Sequence, residues 1–176
     1  VGRLWAAISS GDVFLPYYTN LLRITTLFGC RTQEARLSEW AEWDMEAWVW
    51  TVPKAHSKGG EKIVRPVPEA MRSFIEILHD ETKSSGYLLG VVKNSEAVSQ
   101  WGRSVYKKLG HSEPWTLHDL RRTLATHMNN MGIAPHVVEQ LLGHSMPGVM
   151  AIYNRSLYLP EKLDAPVLIG EFHFGA

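Results

Sequence analysis

The chain of 176 residues holds a single cysteine, Cys30, so no internal disulfide can form and a reducing, cytoplasmic compartment is the expectation. It has no apolar run near the roughly 20 residues that a membrane helix needs. Its first residues, VGRLWAAISSGD, lack the long apolar stretch of a secretory leader. Net charge is also missing: 18 Lys plus Arg offset 18 Asp plus Glu, which removes the bulk argument for a polyanionic partner. Eight histidines invite a metal, yet there is no HExxH, no cysteine pair and no tight carboxylate cluster to complete a shell. No Walker-type glycine loop occurs, and Gly59-Gly60 reads as a turn. Neither a metal nor another cofactor is therefore expected, and no membrane partner.

What is present suffices for a packed core. Hydrophobic residues make up 45% of the chain and charged residues 20%, which excludes disorder, and the length fits one domain. Val1 is not a natural initiator, so the chain reads as a portion of a longer protein. Charge is segregated: Lys54, Lys58, Lys62, Arg65 and Arg72 face only Glu61 and Glu69 in sequence. Residues 34 to 46, by contrast, hold Glu34, Glu39, Glu42, Asp44 and Glu46 against Arg36.

Apolar spacing predicts a mainly α fold with one small sheet. Leu21, Leu22, Ile24, Leu27 and Phe28 recur at helical intervals from Tyr17 to Phe28, with Gly29 as the stop, and a short helix from Thr32 to Glu39 follows. Trp40 to Val67 changes period. AEWDM, AWVWTVP and KIVRPVP are short, aromatic and β-branched, which predicts a three-stranded antiparallel sheet with Pro66 on an edge and the tryptophans packing across strands. Further helices are expected at Glu69 to Thr82, at Ser95 to Leu109 with Ser95 as N-cap, and at Thr116 to Met131 with Thr116 as N-cap. Pro135 to Leu142 and Pro147 to Asn154 each open on an early proline. In the helix TLHDLRRTLATHM the expected core stripe is Leu117, Leu120, Leu124, Met128 and Met131, with His127 turned roughly toward the core.

Several polar residues stand where helix patterning does not require them. His118 and Arg121, three apart, can reach one point in space. His144 follows a glycine stop in LLGHS, and Tyr153 comes nine residues later. Arg31 sits just after Gly29-Cys30, at a helix start where backbone amides also favour an anion. Two arginines, two histidines and a tyrosine suggest an anionic substrate and a phenolic nucleophile. Guanidinium groups, with their planar fork of donors, hold an oxyanion better than a point charge can.

Arginine in FGCRTQE, then HDLRRT, then LLGH, then a tyrosine nine residues on, together resemble the tyrosine recombinases, or phage-type integrases. HVVEQLLGHSMPGVMAIYNR is most similar to enterobacterial-type prophage integrases. The likeness runs from about Tyr17 to about Leu159, with Phe28 where the family has a threonine. It implies a tyrosine recombinase catalytic-domain fold over residues 1–176, without the N-terminal core-binding and arm-binding regions. It implies site-specific cutting and rejoining of DNA through a 3′-phosphotyrosyl bond, independent of metal and ATP, in prophage or mobile-element integration and excision.

On this resemblance Tyr153 is the nucleophile, and Arg31 and Arg121 hold the scissile phosphate. His118 moves protons, His144 hydrogen-bonds the phosphate, and Lys58 protonates the leaving 5′-oxygen, with Lys54 and Lys62 flanking it in the same loop. Glu34 matches a supporting acidic position, for which a plain first-turn carboxylate is the alternative. The implied partners are double-stranded DNA at an attachment site, a homo-tetramer on DNA that is monomeric as an isolated fragment, and accessory DNA-bending or directionality proteins. The implied location is the nucleoid of a bacterial cytoplasm. Residues 164–176, with Val167, Leu168, Ile169, Phe172 and Phe174, form a tail that docks either on a neighbouring protomer or on its own domain. A type IB topoisomerase-like relaxing enzyme and an inactive DNA-binding module are the alternative functions.

Overall fold

Local chemistry accounts for most of the helix ends. The computed structural model describes residues 2–144. The expected helix from Pro147 to Asn154, Tyr153 within it, and the tail 164–176 lie outside the described residues. Pro16 sets the backbone for α2 (Pro16–Phe28), which follows α1 (Gly2–Ser10), and Gly29 closes α2 at φ +57°. The short α3 (Thr32–Leu37) starts at once. A 3-10 turn at Trp40–Glu42 leads into β1 (Trp43–Asp44), β2 (Val49–Val52) and β3 (Ile63–Pro66). Then come α4 (Glu69–Thr82), α5 (Ser95–Gly102), α6 (Val105–Lys108), α7 (Leu117–Asn130) and α8 (Pro135–Leu142).

The sheet is antiparallel in the order β1-β2-β3, which puts Pro66 on an edge strand as expected. Trp43 lies opposite Trp50, and their rings stack at 4.9 Å. Phe28 meets both edge-on, at 5.7 and 5.4 Å, so it is a core residue. Trp40 and Trp48 lie outside the strands. Trp40 donates from Nε1 to Thr82 Oγ1, and Trp48 occupies the β1–β2 turn at φ +53° beside the Arg72 guanidinium.

Three expectations need correction. The stretch from Ser95 to Leu109 is two helices, α5 and α6. Gly102 weakens the helix there, and Ser104 Oγ donates to the Trp101 carbonyl, competing with the helical ladder. The N-cap of α5 is Asn94, whose Oδ1 accepts from the N–H groups of Glu96 and Ala97, not Ser95. On α7, His127 is exposed. The buried stripe runs through Leu117, Arg121, Leu124 and Met128, with Leu120 and Met131 only half-buried. Arg121 thus takes a core position one turn from Leu117, which apolar counting had left to leucine.

Thr116 caps α7 as expected: its N–H and Oγ1 both donate to Asp119 Oδ2, holding that carboxyl below its ordinary range. α7 and α8 share an apolar cluster of Leu124, Met128, Val138, Leu141 and Leu142. Each such buried side chain contributes about 1.5–3 kcal/mol. The larger cluster, formed by α2, the sheet and α4, includes Leu21, Phe28, Trp50 and Ile75. Between the two clusters the end of α2, the start of α3, strand β3, the first turns of α7 and the end of α8 converge.

Candidate active site

The convergence is close because two of its residues are glycines. A Cβ on Gly29 would lie 2.5 Å from Leu124 Cδ2 and 2.8 Å from Leu142 Cδ2. Gly143 ends α8 at φ +70°, and a Cβ there would overlap Ile63 Cδ1 on β3. The α8 C-terminus is thereby pressed against β3 and α7, with its last carbonyls pointing into the protein. Such carbonyls have no helical partner and carry the negative end of the helix dipole.

Three arginines take three consecutive carbonyls. Arg65 Nε donates to Leu141 O at 2.9 Å, an Arg121 Nη donates to Leu142 O at 2.5 Å, and an Arg31 Nη donates to Gly143 O at 3.4 Å. Arg121 also donates to Gly29 O at 2.7 Å. One carboxylate, the fully buried Glu34, balances the cluster. It pairs with Arg65 at 2.7 Å through one oxygen and with Arg31 at 3.2 Å through the other. Glu34 is therefore more than a first-turn carboxylate: it joins α3 to β3. Burial, and after it the charge of Arg31, pulls Arg121 down to about 10, which leaves it charged at neutral pH.

Beside this cluster opens a cavity of about 380 Å³. Arg31 and Arg121 line it with His118, and Lys58 reaches it from the β2–β3 loop. Of the three lysines in that loop, Lys58 lines the cavity while Lys54 faces Glu61 at 3.9 Å. Arg36 adds another cation to the wall, and its own Nη is held by the Lys93 carbonyl. Arg121 commits two of its five N–H donors to the Gly29 and Leu142 carbonyls, which fixes its fork beside the opening.

His144 follows Gly143 and accompanies the cluster from the α8 end. Its Nδ1 lies 2.5 Å from Glu139 Oε2. A carboxylate at Nδ1 makes that nitrogen the donor and leaves Nε2 for another partner. The structure thus brings Arg31, Lys58, His118 and Arg121 to one cavity, with Glu34 beneath and His144 beside Gly143.

Sequence reasoning missed three polar residues of this region. Arg65 had a local signal, since on a strand it shares its face with buried Ile63, where period-2 patterning calls for an apolar side chain. Glu139 had none that five-residue spacing would flag. Glu42 was counted only in an acidic stretch. Its side chain is only 7% exposed, accepts from Trp50 Nε1 and Ser38 Oγ, and meets His56 Nδ1 at 2.5 Å at the root of the loop carrying Lys58.

A profile described as the phage integrase family matches residues 4–159. The chain belongs to the phage integrase family. The integrase of Shigella phage Sf6 is 26% identical over 162 residues, covering 90% of this chain and 41% of that protein. Tyrosine recombinase XerA of Pyrococcus furiosus is 32% identical over 126 residues, covering 64% of this chain and 42% of that protein. The chain thus spans about two fifths of the length of these curated relatives. Among solved structures, XerH site-specific recombinase bound to difH substrate superposes with a TM-score of 0.61 at 15% identity, covering 99% of this chain and 50% of that one. This family has the mainly helical fold with a small three-stranded sheet expected from the sequence, and no helix among the described residues is long and apolar enough to cross a membrane.

Proposed function

We propose that the chain is the catalytic part of a site-specific DNA recombinase that cuts and rejoins duplex DNA through a 3′-phosphotyrosyl intermediate, in integration and excision of a prophage or mobile element. The observation that carries this reading is the arginine cluster: three guanidiniums meet at the end of α8 with one carboxylate among them, and two of them, Arg31 and Arg121, line an open cavity, a net positive site built for an anion. Membership of the phage integrase family supports a DNA phosphodiester as that anion, and XerH recombinase, a protein of the same fold, is seen bound to its difH substrate.

In this mechanism Arg31 and Arg121 donate to the two non-bridging oxygens, fixing the phosphate and offsetting charge that grows in the transition state. The Tyr153 hydroxyl attacks phosphorus, the bond to the 5′-oxygen breaks and a phosphotyrosyl ester forms. His118 accepts the tyrosine proton, and Lys58 gives a proton to the departing 5′-oxygen. His144 donates from Nε2 to the phosphate, its ring set by Glu139. Attack by a 5′-hydroxyl of the partner strand reverses the sequence. One ester is exchanged for another, so rejoining consumes no ATP. Residues 1–176 act as one catalytic domain of a clamp on double-stranded DNA. Core-binding and arm-binding parts complete it, four protomers assemble at the crossover, and accessory DNA-bending or directionality proteins bias the outcome. The reaction takes place on the nucleoid in the bacterial cytoplasm.

The test is a nicked suicide duplex carrying a candidate core site, incubated with the intact protein, with the modified peptide mapped. A covalent adduct on Tyr153 that vanishes in Tyr153→Phe is the expected result. Demonstrable binding with no adduct would overturn catalysis and leave a DNA-binding module.

A further inference from the structure

Arg65 never reaches the cavity, yet it touches two of the parts that the cavity depends on. It is fully buried on β3, and its guanidinium lies 5.1 Å from the centre of the Trp50 ring, which fixes its plane. One edge of the fork binds Glu34, the carboxylate that holds Arg31, and Nε binds the carbonyl of Leu141 at the end of the helix that carries His144. These partners are 31 and 76 residues away in sequence.

We propose that Arg65 is a positioning residue for strand transfer, acting through Glu34 on Arg31 and through the Leu141 carbonyl on the Gly143–His144 corner. This rests on the recombinase reading above. Two features make the role specific to arginine. Only a planar fork can serve a carboxylate and a carbonyl in divergent directions at once, and a lysine ammonium in the same place can satisfy one of them. Arg65 also gives Glu34 the shorter of its two ion pairs, 2.7 Å against 3.2 Å for Arg31. The charged or titratable groups around that carboxylate are Arg31 at the start of α3, Arg65 on β3, Arg121 on α7 and the Cys30 thiol. Without Arg65, a completely buried carboxylate keeps only Arg31 as a direct partner among the described residues, and nothing on β3 fixes the orientation in which it holds Arg31.

The experiment uses the intact protein and a nicked duplex that it binds, with duplex affinity and the rate of Tyr153 adduct formation measured separately. Arg65→Met lowers the rate at neutral pH roughly 10- to 100-fold while duplex affinity holds. Arg65→Lys recovers part of the rate. Glu34→Gln adds little to the loss once Arg65→Met is present, because both act on Arg31 through one ion-paired path. A change confined to melting temperature, with the rate unchanged in Arg65→Met, would overturn the assignment. If Arg65→Met does not fold, Arg65→Lys decides, since a full wild-type rate there means that the fork has no special role. Absence of adduct in the wild type itself would sink the recombinase reading and this assignment together, whereas a reactive wild type with indifferent variants sinks this assignment alone.

Discussion

Gly143→Ala tests whether the α8 corner organises the site. At φ +70° an added Cβ meets left-handed backbone strain of roughly 1–2 kcal/mol. It also overlaps Ile63 Cδ1, and overpacking of that kind costs roughly 1–3 kcal/mol more. The expected loss is therefore about 2–5 kcal/mol, a large part of the roughly 5–15 kcal/mol available to a domain. For a chain of this length it corresponds to a fall of roughly 4 to 20 °C in Tm. The second half of the prediction isolates the contact. Ile63→Val alone costs roughly 0.5–1.5 kcal/mol because it deletes a buried methyl group. In the Gly143→Ala background the same change removes the atom in collision, so it costs less or becomes stabilising, with a coupling energy of about 1–2 kcal/mol. Urea unfolding of the four proteins measures the cycle. Additivity within about 0.5 kcal/mol would refute the proposed contact between α8 and β3.

Other consequences follow from named contacts. Arg121→Lys cannot hold the Gly29 and Leu142 carbonyls and a phosphate together, so adduct formation falls at least about 100-fold while the fold, followed by circular dichroism, persists. Burial pushes the Cys30 thiol from its ordinary 9.0 up to about 12. Between those values the unfolded thiol loses a proton that the folded one keeps, so stability falls as pH rises, by up to about 1.4 kcal/mol per unit. Cys30→Ala removes that slope in urea titrations across the window, and an unchanged slope contradicts the assignment. Glu42→Ala leaves Trp50 Nε1, Ser38 and His56 without their shared acceptor and costs roughly 2–4 kcal/mol, read by unfolding and by tryptophan emission.

The order of elements was legible because its signals are local. Pro16 and Pro135 start helices, Gly29 and Gly143 stop them, and Thr116 with Asp119 caps α7, all within four residues of the feature they govern. Where two local signals competed the reading slipped: Ser95 looked like a cap beside Asn94, and Gly102 to Ser104 divided what periodicity joined. Arg31, His118, Arg121 and His144 could be singled out from the sequence because each is a polar residue standing where helix patterning does not require one, whereas Lys58 was picked from Lys54, Lys58 and Lys62 by family resemblance alone. Their meeting could not, since apolar periodicity is a property of neighbours along the chain and an ion pair is a property of neighbours in space. Whether Arg65 was a surface cation or the partner of Glu34 depended on β3 packing against α3 and α8, and only the folded protein decides that. In the same way the acidic stretch from Glu34 to Glu46 is not one charged face, because Glu34 and Glu42 turn inward to partners on distant or neighbouring elements. Sequence determined which residues could serve an anion; tertiary structure decided which of them share the carbonyls at the end of α8, because a buried charge persists only where the fold supplies its counter-charge and hydrogen-bond acceptors.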